Sequence, residues 1–185
     1  MAYVALLDAD VLHPYVSVDL LLRLAERRMF RPAWSDEILT EVRDSLVRRG
    51  IDPEKVDHRL DVMREAFPEA LTSQIGRFLS AVPASVDPGD RHVVAAALAA
   101  RAEAIVTRNA SDFAPTDLFE LGIEVQSLDT FLVNQWTLDP EVVRDALREM
   151  EEDRTRPPRT EAEILDALAA LAPSFVDSAR ASPGD

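Results

Sequence analysis

A run of apolar residues, Tyr3-Val4-Ala5-Leu6-Leu7, ends on two acids set among further apolar residues, Asp8-Ala9-Asp10-Val11-Leu12. Such a run near the start of a chain reads as a parallel strand buried on both faces. The carboxyl ends of those strands are where open α/β sheets place their ligand sites. A carboxylate at that point needs a partner, because an unpaired buried charge is costly. The rest of the chain is therefore read for residues that return to Asp8.

Beyond Leu12 the chain alternates helix and strand. Ser17 is placed to cap a helix through about Arg27, with Val18, Leu21, Leu22 and Ala25 at helical spacing. Ser35, with Asp36 and Glu37 after it, opens a second helix whose apolar stripe is Ile38, Val42 and Leu46, with Glu41 on its flank. Asp52-Pro53-Glu54 starts a third, which runs to about Phe67 before Pro68 ends it. Asp87-Pro88-Gly89-Asp90 then leads a small-residue run, Val93 to Ala100, read as a deeply packed helix with Asp90 in its first turn. Ala104-Ile105-Val106-Thr107 is a short buried strand, and Arg108 to Phe113 is the loop at its carboxyl end. Gly122 precedes another strand, Ile123 to Ser127, and a helix from about Asp129 to Trp136. Strands separated by helices imply a parallel sheet with right-handed crossovers. From Asp139 the pattern is helical only: one helix to about Glu152, a break at Arg154-Thr155-Arg156-Pro157-Pro158-Arg159, and a last helix from Thr160 to about Leu171. The tail, Ser182-Pro183-Gly184-Asp185, is expected to fray.

Four acids then share one edge of the expected sheet. Asp8 and Asp112 come after strands, Asp90 stands where its helix begins, and Glu41 projects from the second helix. Crowded carboxylates oppose one another's ionisation unless a divalent cation holds them. The chain has no cysteine and three histidines, which excludes disulfides, thiolate metal sites and a histidine-only zinc site and leaves a hard cation on carboxylates. Taken singly, Asp90 also reads as an acid favoured by a helix dipole, Asp112 as a turn residue and Glu41 as a surface glutamate.

A net charge of −14 argues against broad attraction to nucleic acid and, alone, suits a small-molecule enzyme. The arginines Arg23, Arg27, Arg28, Arg31, Arg43, Arg48 and Arg49 nevertheless gather in the first third, where they can make a local basic face. At 185 residues and 47% hydrophobic, the chain can bury one core and carry a small appendage. No stretch approaches the roughly 18 apolar residues of a membrane span, and no basic segment precedes the first apolar run. The expectation is a soluble, cytoplasmic protein.

Leu7 to Leu12, Trp34 to Glu41, Asp87 to Ala97 and Ile105 to Phe113, in that order and spacing, resemble a PIN-domain protein. The likeness is to the VapC-like ribonuclease toxins of bacterial toxin–antitoxin pairs, in the subgroup with an extra helical C-terminus. The resemblance implies an α/β fold, a PIN-like parallel sheet flanked by helices, in residues 1–136, with a helical appendage in 137–185. It implies a metal-dependent endoribonuclease using Mg2+, with Mn2+ as substitute, at Asp8, Glu41, Asp90 and Asp112, with Thr107 and Asn109 as accessory polar groups. Asp10 stands where asparagine is frequent in the subgroup, so it either adds a ligand or faces away. The implied partners are RNA, a cognate antitoxin and a second copy of the chain. On that reading Arg27 and Arg28 rim the pocket and meet phosphates. Two other readings stay open. Leu6-Leu7-Asp8-Ala9-Asp10-Val11 also looks like the nucleophile motif of haloacid-dehalogenase-type phosphatases, which want a lysine that only Lys55 can supply here. A nuclease fold that has lost its chemistry and serves as an interaction scaffold is the other.

Overall fold

The computed structural model describes residues 3–153 and 159–181. Most of the expected break at Arg154-Thr155-Arg156-Pro157-Pro158 and the expected frayed tail from Ser182 lie outside the described residues. Strand β1 (Val4–Leu7) leads into a four-residue helix, α1 (Ala9–Leu12), then α2 (Tyr15–Glu26), β2 (Arg31–Ala33), α3 (Asp36–Arg48) and α4 (Pro53–Ala66). A 3-10 segment, Ile75–Ala81, leads to α5 (Arg91–Ala100) and β3 (Ala104–Thr107). A second 3-10 turn, Ala110–Phe113, precedes α6 (Pro115–Glu120), β4 (Glu124–Ser127) and α7 (Leu128–Leu138). Three more helices complete the described chain: α8 (Pro140–Asp153), α9 (Glu161–Ala169) and α10 (Pro173–Ala181).

Among the described residues the strands form one parallel sheet in the order β2-β1-β3-β4, so the expected parallel α/β architecture holds. Leu7 pairs with Val106 across β1 and β3, and Val106 pairs with Gln126 across β3 and β4. All carboxyl ends therefore lie on one edge. Strand β2 was not foreseen, since Arg31-Pro32-Ala33 is short and contains proline. An edge position tolerates the missing N–H, and Pro32 pairs there with Ala5.

Side chains cap the helices where capping was expected at Ser35, whose hydroxyl accepts from Ile38 N at 3.2 Å, and at Asp52, which accepts from Glu54 N at 2.9 Å. Helix α3 ends in Gly50 at φ 84, a left-handed position that glycine occupies without strain. Ser17 is a correction. It lies inside α2, fully buried, and its hydroxyl donates to Val11 O at 2.8 Å and Pro14 O at 3.0 Å, locking α1 to α2 instead of opening a helix. Helix α5 begins at Arg91, later than the Asp-Pro pair promised. Asp87 spends its side chain on Gly89 N at 2.8 Å, which puts Asp90 at the N-cap position and not in the first turn.

Helices α8 to α10 continue the core beneath α2 and α7. Met150, Leu168 and Phe175 are buried in the same apolar cluster as the sheet, and the Phe175 ring meets Trp136 edge-on at 6.2 Å. Thr160 and Glu163 form the capping box of α9. Helix α10, which the sequence pattern had not announced, starts on the Asp129 carboxylate, with Phe175 N donating to it at 2.9 Å. Among the described residues no helix is long and apolar enough to cross a membrane.

Candidate active site

Asp8 caps α1 at the end of β1, accepting from Ala9 N at 2.7 Å, and is 8% exposed. Thr107, the last residue of the neighbouring strand, is fully buried with its hydroxyl 2.8 Å from Asp8 Oδ2 and 3.1 Å from Asp10 Oδ2. Asp10 does not face away. Both of its oxygens accept from Arg108 N, at 3.0 and 2.8 Å, so the adjacent strand end holds it inward. Asn109 contributes through its backbone, its N–H donating to Thr107 Oγ1 at 3.1 Å.

Thr107 has one hydroxyl proton for two carboxylates. A proton on Asp8 satisfies both, because Asp8 then donates to Thr107 while Thr107 donates to Asp10. The electrostatics agree: burial first, then the Asp10 charge and more weakly Asp90, push the Asp8 carboxyl from an ordinary 3.8 up to about 7. Burial also raises Asp10, against the Arg108 and Thr107 hydrogen bonds. Asp90 is raised by burial, then by Asp87, Asp112 and Glu41, with His92 opposing. These interactions link Asp8 with Asp10 and Asp90, and Asp90 with Asp112 and Glu41, in one electrostatic neighbourhood. Asp87 N also lies 3.5 Å from Asp112 O, tying the α5 entrance to the turn after β3.

His92 is also part of this edge. Its Nδ1 lies 2.9 Å from Gly89 O, which can only accept, so Nδ1 carries a proton and Nε2 is turned toward Glu41 Oε1 at 3.2 Å. Its place two residues after Asp90, in the first turn of the same helix, was the available signal. Arg27 and Arg28 require a correction in the other direction. Helix α2 carries the chain from the carboxyl edge to the amino edge, where Arg31 N bonds Tyr3 O. Arg27 there pairs with Glu149 of α8, and Arg28 sits at φ 61 in the turn toward β2. Neither rims the acidic pocket. Lys55 lines a separate groove with Tyr15 and Arg59.

A hard divalent cation fits this donor set. Among the described residues, none of the ion pairs engages Asp8, Asp10, Asp90 or Asp112. As placed, no three acidic or histidine side chains among the described residues close into a coordination sphere. Thr107→Val keeps the shape but removes the hydroxyl that serves both carboxylates and Asn109 N–H. It is expected to cost about 1–3 kcal/mol, read from the denaturant midpoint.

Comparison with known proteins gives two family matches along the chain. Residues 4–111 match the family described as PIN domain, and residues 128–181 match the VapC50 C-terminal domain. A protein of Mycobacterium tuberculosis (strain ATCC 25618 / H37Rv) named "Putative ribonuclease VapC50" is 38% identical over 91 residues, which cover 49% of this chain and 54% of that protein. The match thus spans about half the length of that relative. No solved structure matches the chain.

Proposed function

We propose that this chain, which belongs to the PIN-domain family and carries the C-terminal extension of its VapC50-like members, is a metal-dependent endoribonuclease and the toxin of a toxin–antitoxin pair. The observation that carries the reading is the gathering of carboxylates at one sheet edge, where, beside burial, the charges of Asp10 and Asp90 raise the Asp8 carboxyl and those of Asp87, Asp112 and Glu41 raise Asp90. Such a set is wasteful for a scaffold and suits a hard cation together with a phosphodiester. The phosphatase reading lacks its lysine, since Lys55 faces another groove.

Asp8, Glu41, Asp90 and Asp112 would hold the ion, and Mg2+ or Mn2+ there would polarise the scissile phosphate and favour ionisation of the attacking water. The chain's own groups supply orientation and proton handling. Thr107 Oγ1 and Arg108 N fix Asp8 and Asp10 in place. Glu41, half exposed and backed by His92 Nε2, is positioned to take a proton from the water. Water oxygen bonds to phosphorus as the bond to the 3′ oxygen breaks, and the leaving oxygen gains a proton, giving a 5′-phosphate and a 3′-hydroxyl. Residues 1–136 carry this chemistry, and the helices from 137 onward buttress α2 through the Arg23 and Arg27 pairs with Glu149 and Asp153.

The test is incubation with single-stranded RNA and magnesium, with the ends of the products analysed. Wild type is expected to leave 5′-phosphates, EDTA to stop the reaction, and Asp90→Asn to lose at least about 100-fold in rate. Cutting that persists undiminished in EDTA would refute the reading.

A further inference from the structure

Beside the acidic pocket lies a second cavity, of about 590 Å³, between α2, α3 and α4. Val18, Leu22 and Met63 line its apolar interior, and Tyr15, Ile51 and Val62 stand at its mouth, 57%, 42% and 49% exposed. Large apolar side chains left in water around one opening mark a contact surface. Apart from Asp19, which pairs with Arg23, the charged groups here are cationic, against the balance of the whole chain. His13 is in the cavity wall, where burial first, and then Arg49, Arg59 and Arg108 facing it, hold its imidazole below the usual range against a hydrogen bond to the Glu41 backbone, and Lys55 joins the lining. Arg59 is held from behind: its guanidinium donates to Leu12 O and stands over the Tyr15 ring, 5.9 Å from the centroid. The cavity adjoins the acidic edge across helix α1. His13 is the C-cap of α1 and Asp8 its N-cap, so one four-residue helix separates them, and the His13 ring meets the backbone of Glu41.

We propose that this cavity seats one unstacked base of a single-stranded RNA whose phosphodiester lies at the acidic pocket, with Tyr15 as the stacking face and Arg49, Lys55 and Arg108 drawing the flanking phosphates. An apolar groove alone would suit a peptide equally. Cations gathered beside it in a chain of net charge −14, and its place one short helix from the acids, select a polyanion that carries aromatic rings. The assignment rests on the ribonuclease reading and adds to it the surface that holds substrate.

The experiment uses the full chain in EDTA, where RNA binds without being cut, and short single-stranded RNAs carrying 2-aminopurine at successive positions. Wild type is expected to quench the probe at one or two positions. Tyr15→Leu is expected to abolish that quenching and weaken binding roughly tenfold, while Tyr15→Trp keeps both. Lys55→Ala should lower the slope of log affinity against log salt by about 0.7. Circular dichroism and melting confirm that each variant is folded. If wild type cuts RNA with magnesium yet Tyr15→Leu binds and quenches as wild type does, the base seat is overturned and the ribonuclease reading stands. If wild type neither binds nor cuts RNA, both fall. Unchanged RNA binding by Tyr15→Leu with a shift from dimer to monomer in sedimentation would give the groove to a second copy of the chain and overturn the RNA assignment.

Discussion

Asparagine in place of Asp8 is expected to reduce RNA cleavage by about 1000-fold or more while leaving the metal-free protein at least as stable as wild type. The two effects have one cause. Asp8 is buried, and its ionised form is opposed by desolvation and by Asp10. Asparagine keeps an acceptor for Ala9 N, and it is as good an N-cap as aspartate. It removes the charge that the neighbours oppose and, with it, the donor a cation would need. The loss of rate is sized by what a single preorganised charge-stabilising group contributes in an active site, with the whole ion at stake and not one hydrogen bond. Melting curves in EDTA beside cleavage rates in magnesium measure both. A variant that melts well below wild type in EDTA would make Asp8 a structural residue.

The second large effect is a loss of metal-free stability as pH rises. Asp8 ionises near 3.8 in the unfolded chain and near 7 in the folded one, so between those values the folded state binds more protons. Stability is then greatest below about pH 4, falls through the window from about 4 to 7, and levels off above it. The span is on the order of 4 kcal/mol from Asp8, with Asp10 and Asp90 shifted in the same direction. Three groups work the other way. Asp57 and Glu149 are lowered by Arg43 and Arg27, but they are fully or almost fully exposed and solvent screens those pairs. His13, lowered mainly by burial, favours the folded state when neutral, so its share is lost as pH falls below about 6.5. Magnesium, binding the folded form, should remove most of the alkaline loss by mass action. Urea unfolding across pH, with EDTA and with magnesium, reads this directly. A metal-free protein whose stability rises from pH 4 to 7 would contradict the electrostatic account.

Much of this architecture was legible because it is written in strong local signals. The run Ala104 to Thr107 is a strand with the expected bounds, and Ser35 and Asp52 cap the helices they were expected to cap. The acids could be placed at one edge because parallel strands share a direction. What escaped depends on three-dimensional neighbours. Strand β2 is made by pairing with β1, not by its own composition, and Pro32 hid it. Ser17 has cap chemistry, but α2 starts earlier and buries it against α1. Arg27 and Arg28 looked available beside an acidic site. Position along α2 sends them to the far edge, where α8 supplies Glu149 as partner. The roles of His92 and of the inward-facing Asp10 rest on the α5 entrance and the β3 end, geometry that periodicity does not encode.

The central claim is that these carboxylates form one divalent-cation site. Calorimetric titration of magnesium into the protein at about pH 6, in two buffers of different ionisation heat, tests it most directly. The account predicts uptake coupled to release of close to one proton, because Asp8 is still protonated there in the metal-free state, with both uptake and release lost in Asp8→Asn and Asp90→Asn. No uptake by wild type, or equal uptake by wild type and both variants, would contradict it.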